Sequence, residues 1–149
     1  LGAEQAEKLL RELPNGAFCS KNTKSFLRAA GRDLEEGEYD LAVFHAKQAL
    51  QLCAKYSLYV KYGDYPKTHR LKELLGALGQ SYDSLIVDLL EEACIGAGCL
   101  PVRYSGETAR RAIAETECLT RCYVFTLIKR LHELRRRHVE NLLPLPLPD

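Results

Sequence analysis

This sequence predicts an all-α fold, and three observations carry that expectation. Apolar residues recur at three- and four-residue spacing along nearly the whole chain, with no persuasive period-two run that would mark a strand. Short clusters of turn residues separate the periodic runs, among them Pro14-Asn15-Gly16, Gly63-Asp64-Tyr65-Pro66 and Gly96-Ala97-Gly98. A chain of 149 residues, 46% hydrophobic and 28% charged, has the length and composition of one folded domain. The short links favour an antiparallel up-and-down bundle of about five to six helices. Residues 1–141 form its single domain, and residues 142–149 a Leu/Pro-rich extended tail.

The elements follow in order. Ala3, Ala6, Leu9, Leu10 and Leu13 make a first helical stripe, stopped at Pro14. Phe26, Leu27, Ala30 and Leu34 make a second, with Gly37 placed as its C-terminal cap. The third is the clearest: Ala42, Ala46, Ala49, Cys53, Tyr56 and Val60 share one face, and its alanines allow a neighbouring helix to approach closely. Thr68 is placed to cap a short helix carrying Leu71, Leu74, Leu75 and Leu78, ended by Gly79. Ser81 is placed to open the next, with Leu85, Ile86, Leu89, Leu90 and Ala93. Ser105 caps the last helix, with Glu107 favourably set in its first turn. That helix runs to about Asn141, roughly 50 Å.

One face of the last helix holds Ile113, Thr116, Leu119, Tyr123, Leu127, Leu131 and Leu134, and Cys118, Cys122 and Phe125 widen it. It is broader than one core contact needs, and a homodimer interface would use the surplus. The Leu-Pro alternation after it cannot be helical and reads as an extended strap.

Several function classes drop out. No apolar run approaches the ~18–20 residues of a membrane helix. No basic start followed by an apolar segment marks a secretory signal, so the cytoplasm is the expected compartment. The phosphate-loop, dinucleotide-loop and H-E-x-x-H zinc motifs are all missing, and no cofactor is expected. The net charge of +1 hides a division: residues 71–100 sum to −4 and residues 101–141 to +4. Such a division implies a bipolar surface, two helices that attract each other, or simply two solvated faces.

Six cysteines are many for a cytosolic chain of this size. Neither Cys94/Cys99 nor Cys118/Cys122 has the short spacing of a zinc pair, so no metal site is expected. Small apolar thiols in the core are the first reading. Disulfides of the kind kept inside some thermophile cells are the second.

Three segments in order resemble the HEPN domain family (higher eukaryotes and prokaryotes nucleotide-binding). The first is Gly37-Glu38-Tyr39-Asp40 followed by Ala42, Phe44, Ala46, Gln48, Ala49 and Lys55. The second is Lys67-Thr68-His69-Arg70-Leu71 with Leu74-Leu75, similar to the family's Thr-His-x-Leu segment. The third is Val102-Arg103-Tyr104 before a capped helix, similar to its Arg-Tyr-Pro stretch. The chain departs at Gln51, where the family usually has an acid, and at Ser105, where the Pro would stand. The family's ribonucleases carry Arg-x4–6-His, and no arginine stands at that spacing before His45, His69, His132 or His138.

The resemblance therefore implies a noncatalytic helical module, with no catalytic residue assigned, that binds a nucleotide, RNA or a protein. The protein implied is a nucleotidyltransferase in a toxin–antitoxin-like couple. A metal-independent ribonuclease built on Arg103 and His69 is the first alternative. The second is a structural interaction module, because Gly37 to Leu50 also looks like one tetratricopeptide hinge without a second copy.

Four residues are candidate nucleotide or RNA contacts. Arg103 stands before the last helix, where guanidinium and helix N–H groups together suit phosphate; its structural alternative is a pin to Glu107. Tyr104 is placed either to stack on a base or to be half buried. His69 lies near a helix start, which favours the neutral imidazole. Lys55 is either a phosphate contact or a stem lying over apolar neighbours. His45, which interrupts an apolar face, reads as a satisfied polar group. The basic run Lys129-Arg130 and Arg135-Arg136-Arg137-His138 spreads around its helix, and reads first as charge suited to a helix C-terminus.

Overall fold

Alanine sets the packing of this molecule. The computed structural model describes residues 18–79, 81–95, 98–99 and 103–142. They form five helices: α1 (Phe18–Glu35), α2 (Tyr39–Tyr62), α3 (Leu71–Leu78), α4 (Ser84–Glu92) and α5 (Gly106–Leu142), and no strand occurs among the described residues. The stripe expected at Ala3–Leu13 and the tail from residue 143 onward lie outside them.

The middle of the bundle is α2. Ala42, Ala46, Ala49, Leu50, Cys53 and Ala54 are fully buried, and Leu58 and Val60 nearly so. The buried arc is wider than the single stripe read from the sequence: Leu50, Ala54 and Leu58 add a second row, and Tyr56 is only half buried. A helix covered on two sides buries two rows. Here α1, α3, α4 and α5 all pack against α2.

A tight turn returns α1 against α2. Gly37 adopts φ 77°, a left-handed conformation open to glycine, and Glu38 N–H donates to the Asp33 carbonyl at 2.8 Å. This pair is antiparallel, as expected. The pairing of α5 with α2 is not: Gly106 lies against the Tyr39 ring, and fourteen residues later on both helices Cys53 Sγ meets the Thr120 carbonyl. The two helices therefore run in the same sense, because α3 and α4 carry the chain back between them. With 37 residues against 24, α5 extends roughly 20 Å past the end of α2.

The core face of α5 holds Ala109, Ala112, Ile113, Thr116, Leu119 and Thr120. Its two buried hydroxyls donate within the helix, Thr116 to the Ala112 carbonyl and Thr120 to that of Glu117. Cys118 and Cys122 fall on the opposite side and are exposed, which corrects their reading as core thiols; among the described free cysteines Cys53 fits it, and the Cys19 side chain lies outside the described set. Cys94 and Cys99 form a disulfide, the second reading of the cysteines, with Cα atoms 5.8 Å apart.

Two helix caps differ from expectation. Thr68 Oγ1 accepts from Arg70 N–H at 3.1 Å, so α3 starts two residues later, and the Lys72 N–H is met by Glu91 Oε1 from α4 at 2.9 Å. Asp83, not Ser81, caps α4 by accepting from Leu85 and Ile86 N–H. Ser105 does cap α5, accepting from Thr108 N–H at 3.1 Å.

The end of α4 is also fastened from outside. Lys47 Nζ donates to the Glu91 and Ala93 carbonyls, both at 3.1 Å, and Tyr104 Oη donates to the Leu89 carbonyl at 3.0 Å. These are terminal carbonyls that the helix cannot satisfy itself. Partial burial pulls the Lys47 ammonium below its ordinary pKa, against the opposing charge of Glu91. The acids of α4 thus meet Lys47 and, through Asp88, Lys72. Among the described residues none of these acids pairs with an α5 arginine.

Ala46→Leu forces three extra carbons into a fully buried contact of α2. The expected cost is about 1–3 kcal/mol in urea unfolding, with the helical circular dichroism of the folded state retained.

Candidate functional site

Two of the four candidate residues come together. Lys55 projects from the later half of α2, and His69 lies in the connection to α3 that follows the left-handed Gly63 cap. Between them Gln51, only 7% exposed, donates its amide N–H to the His69 carbonyl. That contact fixes the backbone of His69 against α2 while leaving the ring exposed. An ionised carboxylate at Gln51 would have no proton to donate. The departure noted in the sequence therefore has a physical role.

Lys55 Nζ lies 3.4 Å from His69 Nδ1. With the ammonium as donor, Nδ1 accepts and the ring proton sits on Nε2, so the pair offers two donors to an incoming oxygen. Arg70 and Lys67 add positive charge on the same connection. Arg70 is 3.9 Å from Glu73, and Lys67 is 3.3 Å from Asp64 with its ammonium 3.9 Å above the Tyr65 ring. The Tyr65 backbone N–H, and after it Lys67, hold the Asp64 carboxyl below its usual range. The first turn of α3 is not open to an anion in the same way, because Glu91 already accepts from Lys72 N–H.

Arg103 and Tyr104 lie elsewhere. Tyr104 is buried, with its hydroxyl on the Leu89 carbonyl, and in that position its ring has no open face for a base. Burial pushes its phenol up to about 12, and the charges of Glu92 and Asp40 act in the same direction. Arg103 is exposed, and no ion pair joins it to Glu107 or to any other described residue. Asp40, beside Tyr104, and the Gln51–Lys55 turn beside His69 are separated by roughly 16–22 Å of α2 axis. The structure thus does not gather Arg103 and His69 into one constellation.

The other histidines are placed apart. His45 Nδ1 is 2.5 Å from Asp33 Oδ2, half buried between Phe26 and Phe44, a satisfied polar pair joining α1 to α2. His132 is exposed on α5, and the His138 side chain lies outside the described set. On the same helix Arg137 pairs with Glu133 and Arg136 with Glu140. No group of three or more His, Cys, Asp or Glu among the described residues is arranged to hold a metal ion. Sequence reasoning missed Gln51 as the anchor of His69. Its signal was a lone amide in an apolar stripe.

Tyr104→Phe tests the buried hydroxyl. An unfolded phenol titrates near 10 and this one near 12, so the stability its neutral form supplies is complete below pH 10 and is lost as pH rises through 12. Stability of the parent chain should fall over that window. The variant should lose about 1–2 kcal/mol at neutral pH and show a smaller alkaline fall, both read from urea unfolding at stepped pH.

A family model described as the HEPN domain matches residues 18–131. No curated protein and no solved structure matches the chain. The family match spans about three quarters of the sequence and takes in α1 to α4 and most of α5, so the chain belongs to the HEPN domain family.

Proposed function

We propose that this HEPN domain binds the phosphate of RNA or of a nucleotide without cleaving it. The observation that carries this reading is the Lys55–His69 pair, 3.4 Å apart, with the His69 ring exposed and its backbone held by Gln51. A phosphate oxygen accepts from an ammonium and an imidazole N–H together, and contacts to ionised groups are about twice as strong as neutral ones. Lys67 and Arg70 beside them extend a backbone-tracking surface. Arg103 is a separate contact for the same strand, and Tyr104 fixes the segment that presents it. The absence of Arg-x4–6-His removes the family's usual ribonuclease pair. No helix among the described residues is long and apolar enough to cross a membrane, and the proposed site of action is the cytoplasm.

A protein partner is the second reading, favoured by the overhang of α5. Its last turns extend beyond α2 and carry Val139, 49% exposed. A second copy of this chain is the partner that the wide apolar face read in the last helix would suit, and a small nucleotidyltransferase is the one the family resemblance implies.

Binding of a labelled single-stranded RNA, followed by anisotropy over a salt series, tests the first reading. The Lys55→Ala/His69→Ala double variant should lose about tenfold in affinity, and its log–log salt slope should fall by about 0.7 for each phosphate contact removed. Arg103→Ala should weaken binding independently. Unchanged affinity in all these variants rejects the phosphate surface, and cleavage of the RNA that disappears in His69→Ala makes the protein a ribonuclease.

A further inference from the structure

We propose that Cys94 and Cys99 form a reversible thiol–disulfide exchange site for a small-molecule thiol of the glutathione class. Their disulfide lies just beyond α4, with Cys94 exposed and Cys99 half buried, so solvent thiols approach it from the Cys94 side. It closes a loop of sequence separation five, and a loop that short removes little entropy from the unfolded chain.

The helices on either side do not depend on it. Lys47 holds the Glu91 and Ala93 carbonyls, Tyr104 holds that of Leu89, and Ser105 caps α5. With the end of α4 and the start of α5 fastened by these other contacts, the disulfide opens without unfolding the bundle. Exposed disulfides are the more easily reduced ones, and those in cytosolic proteins are usually transient or redox-sensing. The last point rests on the cytoplasmic reading above; the geometry does not.

The chemistry closes with two equivalents of the small thiol. Its thiolate attacks Cys94 Sγ, the bond between the two protein sulfurs breaks, and the electron pair leaves on Cys99 Sγ, which takes up a proton. A second small thiolate then attacks the outer sulfur of the mixed disulfide and releases Cys94 as a thiol. The protein disulfide is reduced to two thiols, and two small thiols are oxidised to their disulfide.

The test is alkylation of the full chain after equilibration with reduced and oxidised glutathione at graded ratios. Modified cysteines are located by mass spectrometry, with circular dichroism run in parallel. Cys94 and Cys99 should pass together from protected to alkylated as the ratio rises and return on reoxidation, while the helical signal stays constant and buried Cys53 stays unmodified. A pair that resists reduction until the helices unfold, or one alkylated even in fully oxidised buffer, overturns the proposal. RNA plays no part in the readout, so this result and the fate of the phosphate surface are separable.

Discussion

Close approach to α2 is the constraint on which the rest of the structure depends. Ala42, Ala46, Ala49 and Ala54 are all at zero exposure, and with Cys53 they leave a helix surface with few protruding side chains. Neighbours can then lie near its axis, and the larger residues that fill the gaps come from them or from α2's second row: Leu50 and Leu58, Leu71, Leu74 and Leu75 of α3, and Val87 and Leu90 of α4. The same closeness lets a sulfur of α2 reach the backbone of α5, and lets the Tyr39 ring sit where the missing side chain of Gly106 leaves room.

The short helices hold the polar bookkeeping of the bundle. Three of the terminal carbonyls of α4 are met by Lys47 and Tyr104, and an N–H at the start of α3 by Glu91. These contacts join positions 15 to 46 residues apart in the chain. Helices of eight and nine residues are too short to be stable alone, and such contacts tie their ends to the long ones. The candidate phosphate surface is a by-product of this arrangement. The chain between α2 and α3 must descend along α2, and Gln51 catches its backbone at His69, which leaves His69 beside Lys55.

Much of the fold was legible because helices announce themselves locally. The glycine stops at Gly37, Gly63 and Gly79 all take the left-handed conformation expected of them, and the Ser105 cap is as read. Legibility failed where a residue had a choice of partners. Thr68 and Ser81 are both sound caps by type, yet Thr68 closes a turn of its own and Asp83 lies nearer the start of α4. Of the candidate site, the residue types were readable and their grouping was not. Tyr104 and Arg103 are chain neighbours with opposite fates, one buried on a carbonyl and the other exposed.

By itself the sequence determined the described helices, most of their ends to within a few residues (the start of α1 at Phe18 excepted), the alanine face of α2 and the family, since each rests on spacing within one stretch of chain. Only the tertiary structure decided that α5 runs alongside α2 in the same sense, that Cys118 and Cys122 face outward, and that Lys55 meets His69 while Arg103 stands apart. These outcomes depend on how short elements are folded back between long ones. That path is set by the summed burial of many apolar side chains together with contacts such as Lys47 to α4, and no single window of sequence contains either.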